Sequence, residues 1–351
     1  MKSYLVPTPC KRGRSVGVRA MTSLILPPGA LRLVLAGIVV VAHYAYLSGA
    51  PLYAPIDGPA VVGFFFFSGY WVARLWDTKY SRCRSRLTTF YVSRALRVYP
   101  LATLATLAMA TVAPTDPISI LWNVALIGLQ FGKSLNPPAW SLATELQFYA
   151  VAPLLFLLVR NWTAFVSLCL MGACTWIAFA FGSMGTYLPT FLLPFVLGAH
   201  YAQNPRAELA LRLAPWSLAG FLLLGVLPNI APPVFSLNVV SRFVVIALAV
   251  ISLPYIAASL TRNSDRIDRE LGNLAYPVYL FHWPLFLAAG KLLPDYRLGT
   301  AVVLLIPLSV VALWLVDRPL ERWRHKWVSG REIGGDHPPA ASGSAQPASS
   351  C

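Results

Sequence analysis

The chain holds 351 residues, 57% hydrophobic and only 12% charged, with a mean hydropathy of +0.63 and a net charge of +15. Soluble domains carry roughly twice that charged share, so the composition excludes a soluble globular protein and implies a polytopic membrane protein. The positive charge lies beside apolar runs and not on a basic soluble face with aromatic platforms. This excludes nucleic-acid binding and points to positive-inside anchoring and contact with anionic lipids.

In chain order, residues 1–28 form a basic tail. Its apolar piece, Leu24–Pro28, is too short and too broken by proline for a signal peptide, so a cytoplasmic location is expected, with Met21 as an alternative start. Stretches apolar enough to cross a bilayer then fall near 29–48, 57–75, 97–114, 139–159, 163–182, 186–202, 214–231, 239–260, 273–291 and 298–316. The shorter apolar piece at 118–131 suits a re-entrant or interfacial helix. Basic clusters at 11–19, 74–97, 203–212, 261–270 and 318–331 all fall on one side if there are ten spans, with both termini cytoplasmic. The expected fold is therefore an all-α polytopic bundle of about ten spans plus one short helix. The bundle occupies 29–325. A cytoplasmic tail, 326–351, follows; it is Pro/Ala/Ser/Gly-rich from Gly334 and is expected to be disordered.

The first span carries Arg32 and, eleven residues later, His43. That spacing covers roughly 16 Å of helix, so Arg32 can lie at one membrane face with His43 far from it. An ionisable group inside a span is costly and marks a functional site by default. In the second span Phe64–Phe67 is followed by Ser68-Gly69, a small pair suited to close helix packing. Arg94 and Arg97, at i and i+3, share a helix face that either anchors at headgroups or grips an anion.

One acid breaks the rule that acids lie in connections and tails. Glu145 sits inside a span entered through Pro137-Pro138, and Ser141, Glu145 and Tyr149 recur every four residues on one face. If Glu145 lies at the depth of His43, its carboxylate orients the imidazole, raises its basicity or holds an acceptor hydroxyl; the plainer alternative is a structural buried hydrogen bond. Tyr276–Pro284 adds His282, read either as a substrate contact or as a packing hydrogen bond at a proline kink. Five cysteines without a CxxC, and histidines on separate spans, imply neither a disulfide framework nor a metal site.

Taken together, these pieces resemble the acyltransferase-3 family of membrane O-acyltransferases. Arg32-x10-His43 resembles its first-span Arg/His motif, and Phe64–Tyr70 its FFxxSGF signature. Arg94-x-x-Arg97 with Tyr99-Pro100 is similar to RxxRiyP, and Trp140-Ser141-Leu-x-x-Glu145-x-x-Phe148-Tyr149 to WSLxxExxFY. Tyr276–Pro284, with Tyr279 and His282, resembles YxxYLxHxP; Asp317-Arg318-Pro319 stands where the family usually has Glu-Arg-Pro.

The resemblance implies transfer of an acyl group, often acetyl, from acyl-CoA as co-substrate, with no permanently bound cofactor and no metal. The implied acceptor is a hydroxyl of a carbohydrate or glycolipid, such as lipopolysaccharide or exopolysaccharide, and the implied location a bacterial inner membrane. On this reading His43 and Glu145 are catalytic, and Arg32, Arg94 and Arg97 bind the phosphates of the donor. Trp140, Ser141, Tyr149, Tyr279 and His282 contact the substrate. The rival is a non-enzymatic carrier or flippase for a lipid-linked glycan, since intramembrane His, Glu and Arg also suit a proton-coupled pathway.

Overall fold

The computed structural model describes residues 24–49, 56–129, 133–182, 185–230, 238–292 and 297–333. Most of the basic N-terminal tail, with Met21, and the C-terminal segment from Gly334 lie outside the described residues. Among the described residues the chain is helical, without strands; a single bridge joins Cys83 to Glu332. The helices are α1 (Pro28–Leu47), α2 (Asp57–Thr78), α3 (Arg86–Val112), α4 (Pro117–Val124), α5 (Trp140–Leu158) and α6 (Trp162–Ala180). They continue as α7 (Leu188–Gln203), α8 (Ala207–Ile230), α9 (Asn238–Ser259), α10 (Arg266–Leu292), α11 (Arg297–Ala312) and α12 (Arg318–Ser329). A π-helical turn, Leu313–Asp317, joins α11 to α12.

Seven of these segments are long and apolar enough to cross a membrane. The ten stretches read from the sequence are all helical, but α2, α7 and α10 fall short in length or apolarity. Length accounts for α7, which has sixteen residues. In α2 and α10, glycine, proline and polar residues dilute the apolar run. Both pack inside the bundle, α2 against α7 and α10 against α1, where protein and not lipid is the neighbour. α8, by contrast, packs mainly on α9 and leaves Trp216, Leu222 and Leu223 exposed. The piece expected to be re-entrant or interfacial forms α4, whose eight residues span only about 12 Å. Asp116 caps it by accepting from the Ser119 N–H at 2.9 Å. At the other end of the chain, α12 runs to Ser329, so helical structure continues past the boundary expected at residue 326.

Small residues set the inner contacts. A Cβ on Gly69 would meet the Phe195 carbonyl oxygen at 2.2 Å, so α2 and α7 touch backbone to backbone there. The Ser68-Gly69 step thus packs helices as read, but only through its glycine. A Cβ on Gly29 would lie 1.8 Å from the Asp268 carbonyl oxygen, which brings the start of α1 against that of α10. Asp268 Oδ1 then accepts the Ala30 N–H at 2.7 Å, satisfying one of the orphan donors of α1 with a carboxylate from another helix.

Proline places the loop before α5. Pro284 has no N–H, which frees the Leu280 carbonyl in α10. Asn136 Nδ2 donates to that carbonyl at 3.1 Å and so pins the Pro137–Ala139 turn against α10. Tyr279 OH donates to the Pro138 carbonyl at 2.9 Å and holds the turn from a second point. α5 therefore enters the bundle in a defined position, with Ser141 and Glu145 turned inward.

Candidate functional site

Two adjoining cavities penetrate the bundle from the side on which α12 lies. The outer vestibule, about 810 Å³, is lined by Arg32, Arg269, Arg318, Arg322, His325 and Lys326, among others. The inner chamber, about 450 Å³, is lined at one end by Arg32, Arg94, Arg97, Glu321 and Arg324, and at the other by Ser141 and Tyr279. Arg32, Trp71, Asn273 and Glu321 border both.

The chamber's arginines have unequal partners. Arg97 places Nη1 at 2.9 Å from both oxygens of Asp317, which fills the role of the acid before Arg-Pro. Arg324 pairs with Glu321 at 3.1 Å. Arg94, almost fully buried, donates to Tyr80 OH at 2.8 Å, and Tyr80 in turn donates to Ser93. No carboxylate among the described residues lies within ion-pair distance of Arg32 or Arg94. Without a carboxylate at pairing distance, Arg32 and Arg94 leave this end able to attract an anion. Arg94 and Arg97, read as sharing a helix face, both line the chamber, and Arg97 is engaged there by Asp317.

For Glu145 the structure shows the hydrogen-bonded alternative and not a shared depth with His43. Glu145 Oε1 accepts from Ser68 at 2.6 Å and from Tyr149 at 2.5 Å, and it makes no contact with His43. The i, i+4 spacing on α5 correctly puts Tyr149 on Glu145. The depth is what differs: Ser141, one turn nearer the start of α5, bonds Tyr279 at 2.8 Å and already stands at the end of the chamber away from the arginines. Glu145 thus lines the middle of the chamber, held between Ser68 and Tyr149.

Beyond Tyr279 lies a second polar group. His43 Nδ1 is 2.8 Å from His282 Nε2, with ring centroids 5.1 Å apart and planes 19° apart, so the two rings meet nitrogen to nitrogen and nearly coplanar. Trp283 abuts the His43 ring edge-on at 5.2 Å. His43 Nε2 faces Asp57 Oδ2, at the start of α2, at 3.9 Å. His282 is fully buried and its Nδ1 lies 2.7 Å from the Tyr279 carbonyl oxygen one turn back. The side chains of His43 and Asp57 are 21% and 38% exposed, so this pair is reached from the surface opposite the vestibule. Neither histidine lines the inner chamber; Tyr279 stands between.

Of the residues read from the sequence, Arg32, Arg94, Arg97, Ser141, Glu145, Tyr149 and Tyr279 meet around one chamber. His43 and His282 form the adjoining pair. Trp140 lines neither cavity; it packs between Phe65 and Phe191. Asp57, Ser68, Asp317 as the partner of Arg97, and Arg324 escaped the reading. The first three meet partners on other helices, and only the resemblance at Asp317-Arg-Pro flagged one of them. Among the described residues no group of three His, Cys, Asp or Glu side chains could hold a metal.

A family model described as an acyltransferase domain matches residues 29–318. No curated protein matches the chain, and no solved structure does.

Proposed function

On the premise that the chain belongs to the acyltransferase-3 family, we propose that it is an integral-membrane O-acyltransferase that moves an acyl group, acetyl first of all, from acyl-CoA to a carbohydrate hydroxyl. The acceptor class is lipopolysaccharide, exopolysaccharide or a related glycolipid. Ten crossings with both termini cytoplasmic would put the vestibule on the cytoplasmic side of a bacterial inner membrane, where acyl-CoA is found. The observation that carries the reading is a polar path in which a basic vestibule adjoins an arginine-bordered chamber that ends at Tyr279, with a half-buried histidine behind it.

Coenzyme A phosphates would sit in the vestibule among Arg269, Arg322 and Lys326, with Arg32 at its inner edge. Arginine and lysine there supply charge-assisted bonds to phosphate oxygens. The thioester arm would extend into the chamber, with its end near Ser141 and Tyr279. His43, as a neutral imidazole, would take the acceptor's proton as the hydroxyl oxygen attacks the acyl carbon. The C–S bond then breaks, and the proton passes to the departing thiolate. An acyl-imidazole intermediate on His43 would use the same nitrogen as nucleophile.

The test is transfer from radiolabelled acetyl-CoA in membranes containing wild type or His43→Ala, with the labelled glycan isolated. Label in wild type alone supports the reading. No label from acetyl-CoA or longer acyl-CoAs, with intact protein and glycan present, sinks it in favour of a carrier for a lipid-linked glycan.

A further inference from the structure

The histidine pair has a direction, and the direction follows from one carbonyl. The Tyr279 C=O can only accept a hydrogen bond, so the His282 nitrogen 2.7 Å away, Nδ1, must carry a proton. In neutral His282 the proton on Nδ1 leaves Nε2 with a bare lone pair. That lone pair points at His43 Nδ1, 2.8 Å away, which must therefore be the N–H. The lone pair of neutral His43 is thus left on Nε2, the nitrogen facing Asp57 at 3.9 Å on the partly exposed side. The opposite assignment would set two lone pairs against each other at His282 and the Tyr279 carbonyl, inside a site with no exposed surface on His282.

We infer that His282 is a positioning residue that, anchored on the Tyr279 carbonyl, locks His43 in the Nδ1–H tautomer and so presents Nε2 as the reactive nitrogen, while Asp57 stabilises the charge that forms there. The inference rests on the proposed role of His43 and deepens it. When Nε2 takes the hydroxyl proton, His43 becomes an imidazolium whose Nδ1–H remains bonded to His282 and whose new Nε2–H faces the Asp57 carboxylate. When the thiolate departs, that proton moves from Nε2 to sulfur, and the starting tautomer is restored with no net change at His282. If Nε2 instead attacks the thioester, the same lock exposes the same lone pair. The nitrogen-to-nitrogen contact with His282 and the perpendicular packing of Trp283 hold the His43 ring in this orientation.

The lock needs an acceptor at one point in space, which a glutamine carbonyl can supply and an alkyl group cannot. The experiment compares acetyl transfer by wild type, His43→Ala, His282→Gln, His282→Leu and Asp57→Asn in membranes, each normalised to folded protein. It also records ¹⁵N spectra of histidine-labelled wild type in detergent. Expected are loss of transfer in His43→Ala, a drop of about 10²-fold or more in His282→Leu as for a lost catalytic base, and recovery of most of that drop in His282→Gln. The drop should fall on kcat, with KM for acetyl-CoA held. Wild-type His43 should show a protonated Nδ1 and a bare Nε2. A bare Nδ1 overturns the inference without any variant having to fold. So does equal activity of the Leu and Gln variants in folded protein. If His43→Ala itself transfers normally, the underlying reading fails instead, and the two failures are distinct.

Discussion

The two ends of the polar path solve different problems. At the arginine end, charge is permanent and abundant: four guanidiniums border the chamber, and two of them are tied to Asp317 and Glu321. At the histidine end there is one directional chain of hydrogen bonds, Tyr279 carbonyl to His282 to His43, with the Asp57 carboxylate nearby. An arginine never gives up its proton, so the first end can bind an anion but cannot exchange a proton with it. The imidazoles can exchange one, and a chain of single donors and acceptors fixes where. On the proposed roles, donor binding and proton transfer are separated by the eleven residues from Arg32 to His43 on α1, roughly 16 Å of helix.

Removing the reacting group should have the largest effect. His43→Ala should lower transfer by about 10²–10⁴-fold while leaving acetyl-CoA binding and thermal stability near wild type, measured by labelled transfer, equilibrium binding and melting in detergent. An equal loss of donor binding would erase the proposed division between the two ends.

Next comes the buried ion pair at the other end. Asp317→Ala leaves Arg97 without its carboxylate and should cost about 3–5 kcal/mol of stability, since breaking such a pair strands a charge. Asp317→Glu should restore most of the melting temperature, and the two melting curves decide the matter. A small shift in the alanine variant would mean that Arg97 finds another anion.

A packing change should act on both ends together. Gly69→Ala drives a methyl into the Phe195 backbone, which cannot yield as a flexible side chain would. A loss of about 1–3 kcal/mol is expected, as for overpacking, seen as a lowered melting temperature with transfer reduced in proportion to folded protein.

Smaller still is the effect of vestibule charge. Arg322 and Lys326 are exposed, and exposed charges are screened by salt. The double change to alanine should raise KM for acetyl-CoA several-fold at low ionic strength, less at high, with kcat held. The smallest effect belongs to the outer helix α8, where Trp216→Leu should leave transfer unchanged and stability within about 0.5 kcal/mol.

Several features could be read without coordinates because they are local. Apolar length marks the spans, and the paired prolines mark the entry to α5. A four-residue spacing puts Tyr149 on Glu145, and a glycine beside Ser68 marks a close crossing. Each depends on neighbours within a turn or two, where helical geometry alone sets the distance. Even α4 follows from the shortness of its apolar run.

The pairings that make the site are not local. His43 meets His282 across 239 positions and Arg97 meets Asp317 across 220, while Glu145 turns to Ser68 and not to His43. Which residues meet depends on how far each helix is rotated and how deep it sits. Those are set by backbone contacts such as Gly29 on Asp268 and Gly69 on Phe195, and by Asn136 filling the carbonyl that Pro284 leaves open. Periodicity within one helix carries no information about its depth relative to another. The sequence by itself therefore determined a helical membrane bundle with an arginine and a histidine on its first span. Tertiary packing alone decided that the carboxylate near His43 is Asp57, and that its hydrogen-bond partner is a second histidine.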